Sequence, residues 1–357
     1  MKKVVWLSNA PAPYKVAFMS ELGKYTELTC LFETRAEKDR NAEWYDYSTD
    51  GFKAVYLPET DSRAVIRQAA EDADILIDSD YTKQIARYAV RMFHKYKKPV
   101  IMHADGGLAV PRGPLDLLIR AVMKSHDGFL SSGEITDRYF SYYRVNPEKM
   151  MHYRFACAST EELAQNRAMR ERKEELRREL QVREDIMILS VGQPIHRKGF
   201  DILMEAMKQV HGNIGLYIIG GQPEAEVRKA AAEVTGAKVY FLPFLSRDVL
   251  DEHYAAADIF VLPTRYDIWG LVVNEAMSFG LPVVSTDHCV AALELVGKNK
   301  CGEIVPVGDA GALAAALQKR ADDPELCRAE GERSFAGIAE YDYAHMAQDF
   351  AEALNKF

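Results

Sequence analysis

Cysteine is scarce in this chain and poorly placed for bridging. The five cysteines, Cys30, Cys157, Cys289, Cys301 and Cys327, are odd in number, widely scattered and never in a CxxC pair. That argues against a disulfide framework or a zinc site and for reduced thiols in a cytoplasmic setting. No apolar run approaches the ~18 residues needed to span a bilayer. The opening MKKVVWLSNAPAP has only a short apolar run before Asn9 and reads as a first strand rather than a leader. Positive charge is in deficit too: the net charge is −8, which disfavours nucleic acid as the main partner, since phosphate backbones need a basic face. A convincing Asp-x-Asp metal motif is also missing, Asp78-Ser79-Asp80 being one chance match. No metal and no cofactor are expected.

With 357 residues, 48% of them hydrophobic, the chain can build two cores. Charge is uneven: residues 1–153 hold 22 Lys+Arg against 21 Asp+Glu, and the remainder 23 against 32. Short apolar runs alternate with amphipathic stretches. Strands are expected at 4–8, 28–32, 54–57, 75–78, 100–103 and 128–131, with helices between them. A second series follows at 186–191, 215–219, 239–242, 259–262 and 283–285. This is the βαβ alternation of parallel sheets covered on both faces. The expected fold is therefore α/β, two Rossmann-like domains facing across a cleft. The first would span 1–155 and the second 156–340. The stretch 161–185 reads as one solvated helix leading into the second domain. A last helix, 341–357, has its apolar residues on one stripe and is expected to cross back onto the first domain.

The most informative segment is PTRYDIWGLVVNEAMSFGLPVV, residues 263–284. Asp267 stands eight positions before Glu275, and the chain between them reads as a loop that becomes a helix at Trp269-Gly270-Leu271. A helix N-terminus offers unpaired amides and partial positive charge, a site for phosphate. If wholly helical, the span would set the two carboxylates near one face, roughly 12 Å apart. Phosphate-binding amides with a carboxylate on either side suit a sugar–diphosphate–ribose ligand. Arg197 and Lys198 follow a strand and a glycine turn at the start of another helix. Placed against the helix dipole, they suggest an anionic ligand, with Arg giving bidentate contacts and Lys a point charge.

These segments resemble a known family. Ser190-Val191-Gly192-Gln193 with His196-Arg197-Lys198-Gly199, the Gly220-Gly221 turn, Ala257–Thr264, the Asp267-to-Glu275 spacing and Gly280–Val284 are similar to the retaining glycosyltransferases of the GT-B fold, family 4 (glycosyl transferases group 1). They cover most of residues 186–310. Ala12-Pro13-Tyr14-Lys15 and His103-Ala104-Asp105-Gly106-Gly107 resemble bacterial capsule and exopolysaccharide enzymes more loosely. Two positions depart from the pattern. Asp267 replaces the first Glu of a Glu-x7-Glu motif, and His288-Cys289-Val290 replaces a Gly-Gly pair.

The resemblance implies a metal-independent hexosyltransferase. It would use a nucleotide diphosphate sugar, a UDP-sugar first, and a hydroxyl acceptor such as a lipid-linked saccharide of cell-surface polysaccharide synthesis. Arg197, Lys198 and Asp267 would act at the reacting centre, with His103 as a hydrogen-bonding or proton-handling partner. Gly192, Gly220, Trp269, Gly270, Leu271 and Glu275 would bind the donor, Glu275 through the ribose hydroxyls. Asn9, Tyr14 and Asp105 would line the acceptor side. The alternatives are a small soluble acceptor, or a nucleotide-sugar-binding subunit without turnover. Helix 83–98 interleaves Arg87, Arg91, Lys95, Lys97 and Lys98 with Tyr88, Met92, Phe93 and Tyr96, which suits peripheral contact with the inner face of an anionic membrane.

Overall fold

The computed structural model describes residues 1–36, 45 and 47–357. They form two compact units, Met1–Ala156 together with Tyr341–Phe357, and Cys157–Glu340.

Among the described residues the first unit has a seven-stranded sheet. Its strands are β1 (Lys2–Ser8), β2 (Thr26–Phe32), β3 (Lys53–Tyr56), β4 (Ile75–Asp78), β5 (Val100–Ala104), β6 (Gly128–Ser131) and β7 (Met150–His152). They run parallel in the order β3-β2-β1-β4-β5-β6-β7. The crossovers carry α1 (Pro13–Leu22), α2 (Ser62–Asp72), α3 (Gln84–Lys95), α4 (Leu115–Met123) and α5 (Glu134–Tyr142). Every residue of β4, β5 and β6 is buried. That is why these strands are continuous apolar runs rather than alternating ones.

The second unit opens with α6 (Thr160–Glu171) and α7 (Lys173–Glu179). The stretch expected as one solvated helix is thus two, and three of its cations, Arg170, Lys173 and Arg177, are turned into the fold. Lys173 and Arg177 both bind Asp258, and the Arg177 guanidinium donates to the Glu184 and Asp185 carbonyls. Arg170 donates to the carbonyls of Ala255 and Ala257. Asp258 also accepts from the Met187 amide at 2.7 Å. A burst of charge in the sequence is therefore a strap fixed to the ends of two strands.

The six-stranded parallel sheet of this unit has the order β10-β9-β8-β11-β12-β13 among the described residues. Its strands are β8 (Ile186–Val191), β9 (Ile214–Ile219), β10 (Lys238–Leu242), β11 (Ile259–Leu262), β12 (Val283–Thr286) and β13 (Gly302–Val305). Between and after them come α8 (Phe200–Met207), α9 (Ala225–Ala232), α10 (Arg247–Ala256), α11 (Leu271–Ser278), α12 (Gly297–Asn299), α13 (Ala310–Ala321) and α14 (Pro324–Ile338). The core gathers Leu203, Met204 and Met207 of α8, Leu216 and Ile218 of β9, and Leu313 and Leu317 of α13.

The last helix, α15 (Tyr343–Leu354), belongs to the first unit and packs on α1. Phe350 stacks on Trp6 at 5.4 Å and meets Phe18 and Tyr153 edge-on at 4.8 and 4.9 Å. Asp349 takes the Arg154 guanidinium at 2.7 and 2.9 Å. Truncating a buried Phe of this kind costs ~3–5 kcal/mol. No described helix is long and apolar enough to cross a membrane.

Candidate functional site

Open α/β sheets bind ligands at the carboxyl ends of their strands, and the sequence candidates of the second unit gather there. Gly192 directly follows β8 and Gly220 directly follows β9. A Cβ on Gly220 would sit 2.3 Å from the Gly192 carbonyl oxygen, so the two turns touch only because neither has a side chain there. His196-Arg197-Lys198 forms a single 3-10 turn. The basic pair thus precedes α8 instead of occupying its first turn. Gly199 closes the turn at φ 70°, and a Cβ there would strike the Pro263 oxygen at 2.1 Å. Glycine is required by conformation and by space.

The turn aims both cations at one carboxylate. Lys198 Nζ lies 2.6 Å from Asp267 Oδ2, and an Arg197 guanidinium nitrogen lies 3.2 Å from the same atom. Arg197 also donates to the Tyr266 carbonyl at 2.8 Å and stays 43% exposed. Asp267 is buried. The Gly192 Cα faces Lys198: a Cβ there would stand 3.3 Å from Lys198 Cε. Gly192, Lys198, Arg197, Asp267 and Gly270 are one contiguous group.

Residues 267–270 are a loop, and α11 starts only at Leu271. Glu275 therefore stands in the second turn of a short helix, and the wholly helical spacing does not apply. Gly270 caps α11 at φ 101°. A Cβ on it would be 2.8 Å from Cys289 Sγ and 3.8 Å from the Asp267 carboxyl carbon. The opening of α11 is thus beside Asp267. This also accounts for His288-Cys289-Val290: Asp267 pairs with Cys289 as an isolated parallel bridge, and the Cys289 sulfur fills the space left by Gly270. Trp269 is buried and donates from its indole to Asn274 Oδ1 at 2.8 Å. Its carbonyl accepts from the Ala291 amide at 2.9 Å.

Glu275 is held separately. Its two oxygens accept from Arg247 at 2.8 Å and from the Tyr254 hydroxyl at 2.8 Å. Arg247, the first residue of α10, also binds Asp251. Neither Arg247 nor Tyr254 was legible as a site residue. They lie 28 and 21 positions from Glu275, on a different helix, with no spacing rule linking them.

In the first unit, Asn9, Tyr14, His103 and Asp105 meet at the ends of β1 and β5. Asn9 Oδ1 accepts from Lys15 Nζ at 2.6 Å, and the Tyr14 hydroxyl reaches Asp105 at 3.4 Å. His103 is an interior residue. One ring nitrogen is 2.9 Å from Ser79 Oγ and the other 3.0 Å from the Tyr153 hydroxyl, and Trp6 and Phe350 pack on the ring. Burial pulls its pKa down to about 4, with nearby Lys15 helping and Asp105 opposing. A neutral imidazole engaged at both nitrogens ties Ser79 to Tyr153. Glu33, just past β2, has one carboxylate oxygen buried with no hydrogen-bond partner among the described residues. Burial, then Asp80, pushes it up to about 7 against the pull of Lys83.

Among the described residues no group of three or more His, Cys, Asp or Glu is arranged to hold a metal ion.

Residues 171–335 match the family described as glycosyl transferases group 1. The chain is 37% identical over 143 residues to the amylovoran biosynthesis glycosyltransferase AmsK of Erwinia amylovora, covering 37% of this chain and 35% of that protein. It is 32% identical over 123 residues to the lipopolysaccharide glucosyltransferase WaaG of Escherichia coli, covering 33% and 32%. A GDP-mannose-dependent phosphatidylinositol monomannoside mannosyltransferase of Mycolicibacterium smegmatis is 30% identical over 157 residues, 41% of each. The matches thus span about a third of the length of the first of these relatives. Over the whole chain the fold is similar to Anabaena HepE in complex with UDP and glucose, with a TM-score of 0.78, 14% identity and 100% of both chains covered. Sucrose-phosphate synthase of Thermosynechococcus elongatus gives 0.77 at 17% identity, covering 100% of this chain and 99% of that one. Residues 171–335 are thus similar to the glycosyl transferases group 1 family, and the fold of the whole chain is that of the GT-B glycosyltransferases.

Proposed function

We propose that this chain transfers a hexose from a nucleotide diphosphate sugar, a UDP-sugar first, to a hydroxyl of a lipid-linked saccharide in cell-surface polysaccharide synthesis, with retention at the anomeric carbon and without a metal. The bond from C1 to the leaving phosphate oxygen breaks, and a bond from C1 to the acceptor oxygen forms on the same face. The acceptor's proton passes to the departing diphosphate.

The observation that carries this reading is the convergence of Arg197 and Lys198 on Asp267 beside the opening of α11. Two preorganised cations and a helix N-terminus suit a diphosphate whose charge grows as the bond breaks. Gly192 and Gly220 allow its backbone neighbours to approach closely. The amides of Trp269, Gly270 and Leu271 take phosphate or sugar oxygens. Asp267 then accepts from donor-sugar hydroxyls, and Glu275 from the ribose. Asn9, Tyr14 and Asp105 form the acceptor side, with His103 holding its neighbours in place. The names of the amylovoran and lipopolysaccharide relatives support the acceptor class, and a fold relative holding UDP supports the donor. The mannosyltransferase relative favours GDP-mannose as the second reading.

A thermal-shift screen against UDP-, GDP-, ADP- and dTDP-sugars identifies the donor, because a ligand of the folded state raises stability with its concentration. Proton NMR of the product made with that donor reads the anomeric configuration. An inverted product, or no stabilising nucleotide sugar, overturns the proposal.

A further inference from the structure

The donor candidates of the second unit stand at the carboxyl ends of its strands. At the amino ends of the same strands lies a cavity of about 260 Å³ that the proposed reaction does not use. Ile186, which opens β8, lines it, as do Asp258 just before β11 and Gly280 in the turn before β12. α6 and the start of α7 contribute Arg170 and Lys173, and one face of α14 contributes Pro324, Arg328 and Phe335. β8 is six residues long, so at ~3.3 Å per residue the cavity lies roughly 20 Å from Gly192. Charge around it is unbalanced. Lys173 and Arg177 share Asp258, which also accepts from the Met187 amide. Arg170 has no carboxylate of its own among the described residues. One of its nitrogens donates to the Ala255 and Ala257 carbonyls at the end of α10. Burial, opposed by Asp258, draws the pKa of both Arg170 and Lys173 below its ordinary value. Three cations taken from water around one carboxylate leave positive charge uncompensated. Arg328 adds another at the rim. Its partner Glu325 is exposed and one helical turn away, a pairing of little net worth that a ligand displaces. The other acid on the lining, Glu332, is 61% exposed and faces Arg167 at 3.6 Å.

We propose that this cavity is a second ligand site, separate from the donor site, and that it takes a small phosphate monoester. Arg170, Lys173 and Arg328 receive the phosphate oxygens, the guanidinium groups as forks and the ammonium as a point charge. The carbon body of the ester lies on Ile186, Pro324 and Phe335. Charge selects the anion: a dianion offsets the surplus that Asp258 leaves, and a neutral ligand does not. Size selects the ester. A volume of about 260 Å³ falls below the ~300–1,000 Å³ of pockets for drug-sized ligands. It is too small for a whole nucleotide sugar and sufficient for one phosphate on a compact ring or short chain. The apolar side chains on the lining favour such an ester over free inorganic phosphate.

The test is calorimetric titration of the full chain with phenyl phosphate, inorganic phosphate and benzyl alcohol, each with and without saturating UDP. The proposal expects one site for phenyl phosphate, with the same affinity whether or not UDP is present. It expects binding at least tenfold tighter than that of inorganic phosphate, and none of benzyl alcohol. Arg328→Glu changes an exposed side chain, so its melting temperature and UDP affinity should stay near wild type while phenyl phosphate weakens at least tenfold. Arg170→Lys keeps the charge and a donor for the Ala255 and Ala257 carbonyls but loses the fork, and is expected to weaken phenyl phosphate about tenfold. Absence of phenyl phosphate binding overturns the proposal. So does binding that UDP abolishes, which places the ester in the donor site, or an affinity unchanged in both variants. A chain that binds phenyl phosphate but no UDP contradicts the donor reading alone, so the two failures are distinct.

Discussion

Lys198 Nζ and Asp267 Oδ2 stand 2.6 Å apart, with Arg197 on the same oxygen. The cations proposed for the diphosphate are therefore pre-aimed by the carboxylate proposed for the sugar. A charged hydrogen bond of this type is worth ~1.5–3 kcal/mol. Lys198→Ala and Arg197→Ala are each expected to lower turnover by ~10²–10³-fold. Their effect on stability should be far smaller, and largest for Lys198, whose loss leaves buried Asp267 with one cation. Adding Asp267→Asn to Lys198→Ala should restore stability and leave turnover low. Steady-state kinetics beside urea melts separate the two; near-normal turnover in both single variants removes these residues from the reaction.

His103 gives the first unit a pH signature. Its folded pKa of about 4 lies below the ordinary 6.5, so the unfolded chain takes the proton first as pH falls. The contribution is whole above about pH 6.5, shrinks on acidification, and is gone below about pH 4, amounting to ~3 kcal/mol at most. Glu33, raised to about 7, tilts the opposite way, so the comparison must be against His103→Asn. The stability gap between wild type and this variant is expected to narrow by ~2 kcal/mol from pH 7 to pH 5. A gap independent of pH assigns no titration to His103.

Activity is expected to survive EDTA. Arg197, Lys198 and the opening of α11 supply positive charge where a divalent ion would otherwise be needed. Dialysed enzyme assayed with and without EDTA checks this. Loss of turnover restored only by Mg²⁺ or Mn²⁺ counts against it.

Most of the fold could be read from the sequence because parallel strands buried on both faces leave long apolar runs, as at Ile186–Val191 and Val100–Ala104. The exceptions have the same cause in reverse. β7 (MMH) and β13 (GEIV) are edge strands of three and four residues with polar positions, too short to show a pattern. The charged stretch 161–185 looked solvated because nothing in its spacing announces that Lys173 and Arg177 meet Asp258, more than 80 positions on. In the candidate site, the residue types of Arg197, Lys198, Asp267 and Glu275 were visible, but their partners were not. The bond of Glu275 to Arg247 joins two helices, and the fit of Cys289 to Gly270 joins two loops. The leucines of α4 were equally hidden. LDLLIRAVM is apolar on most sides, and only the packed helix separates buried Ile119 from exposed Leu117 and Leu118.

The central claim is a division of labour between the two carboxylates, and calorimetric titration tests it most directly. Wild type, Glu275→Gln and Asp267→Asn are each titrated with UDP and with the best UDP-sugar from the screen. Glu275→Gln is expected to weaken both ligands by roughly 10–150-fold, the equivalent of a charged hydrogen bond, because the ribose is common to both. Asp267→Asn is expected to leave UDP binding near wild type and to weaken the intact donor alone. Equal weakening of both ligands by Asp267→Asn, or unchanged UDP affinity in Glu275→Gln, would contradict the account.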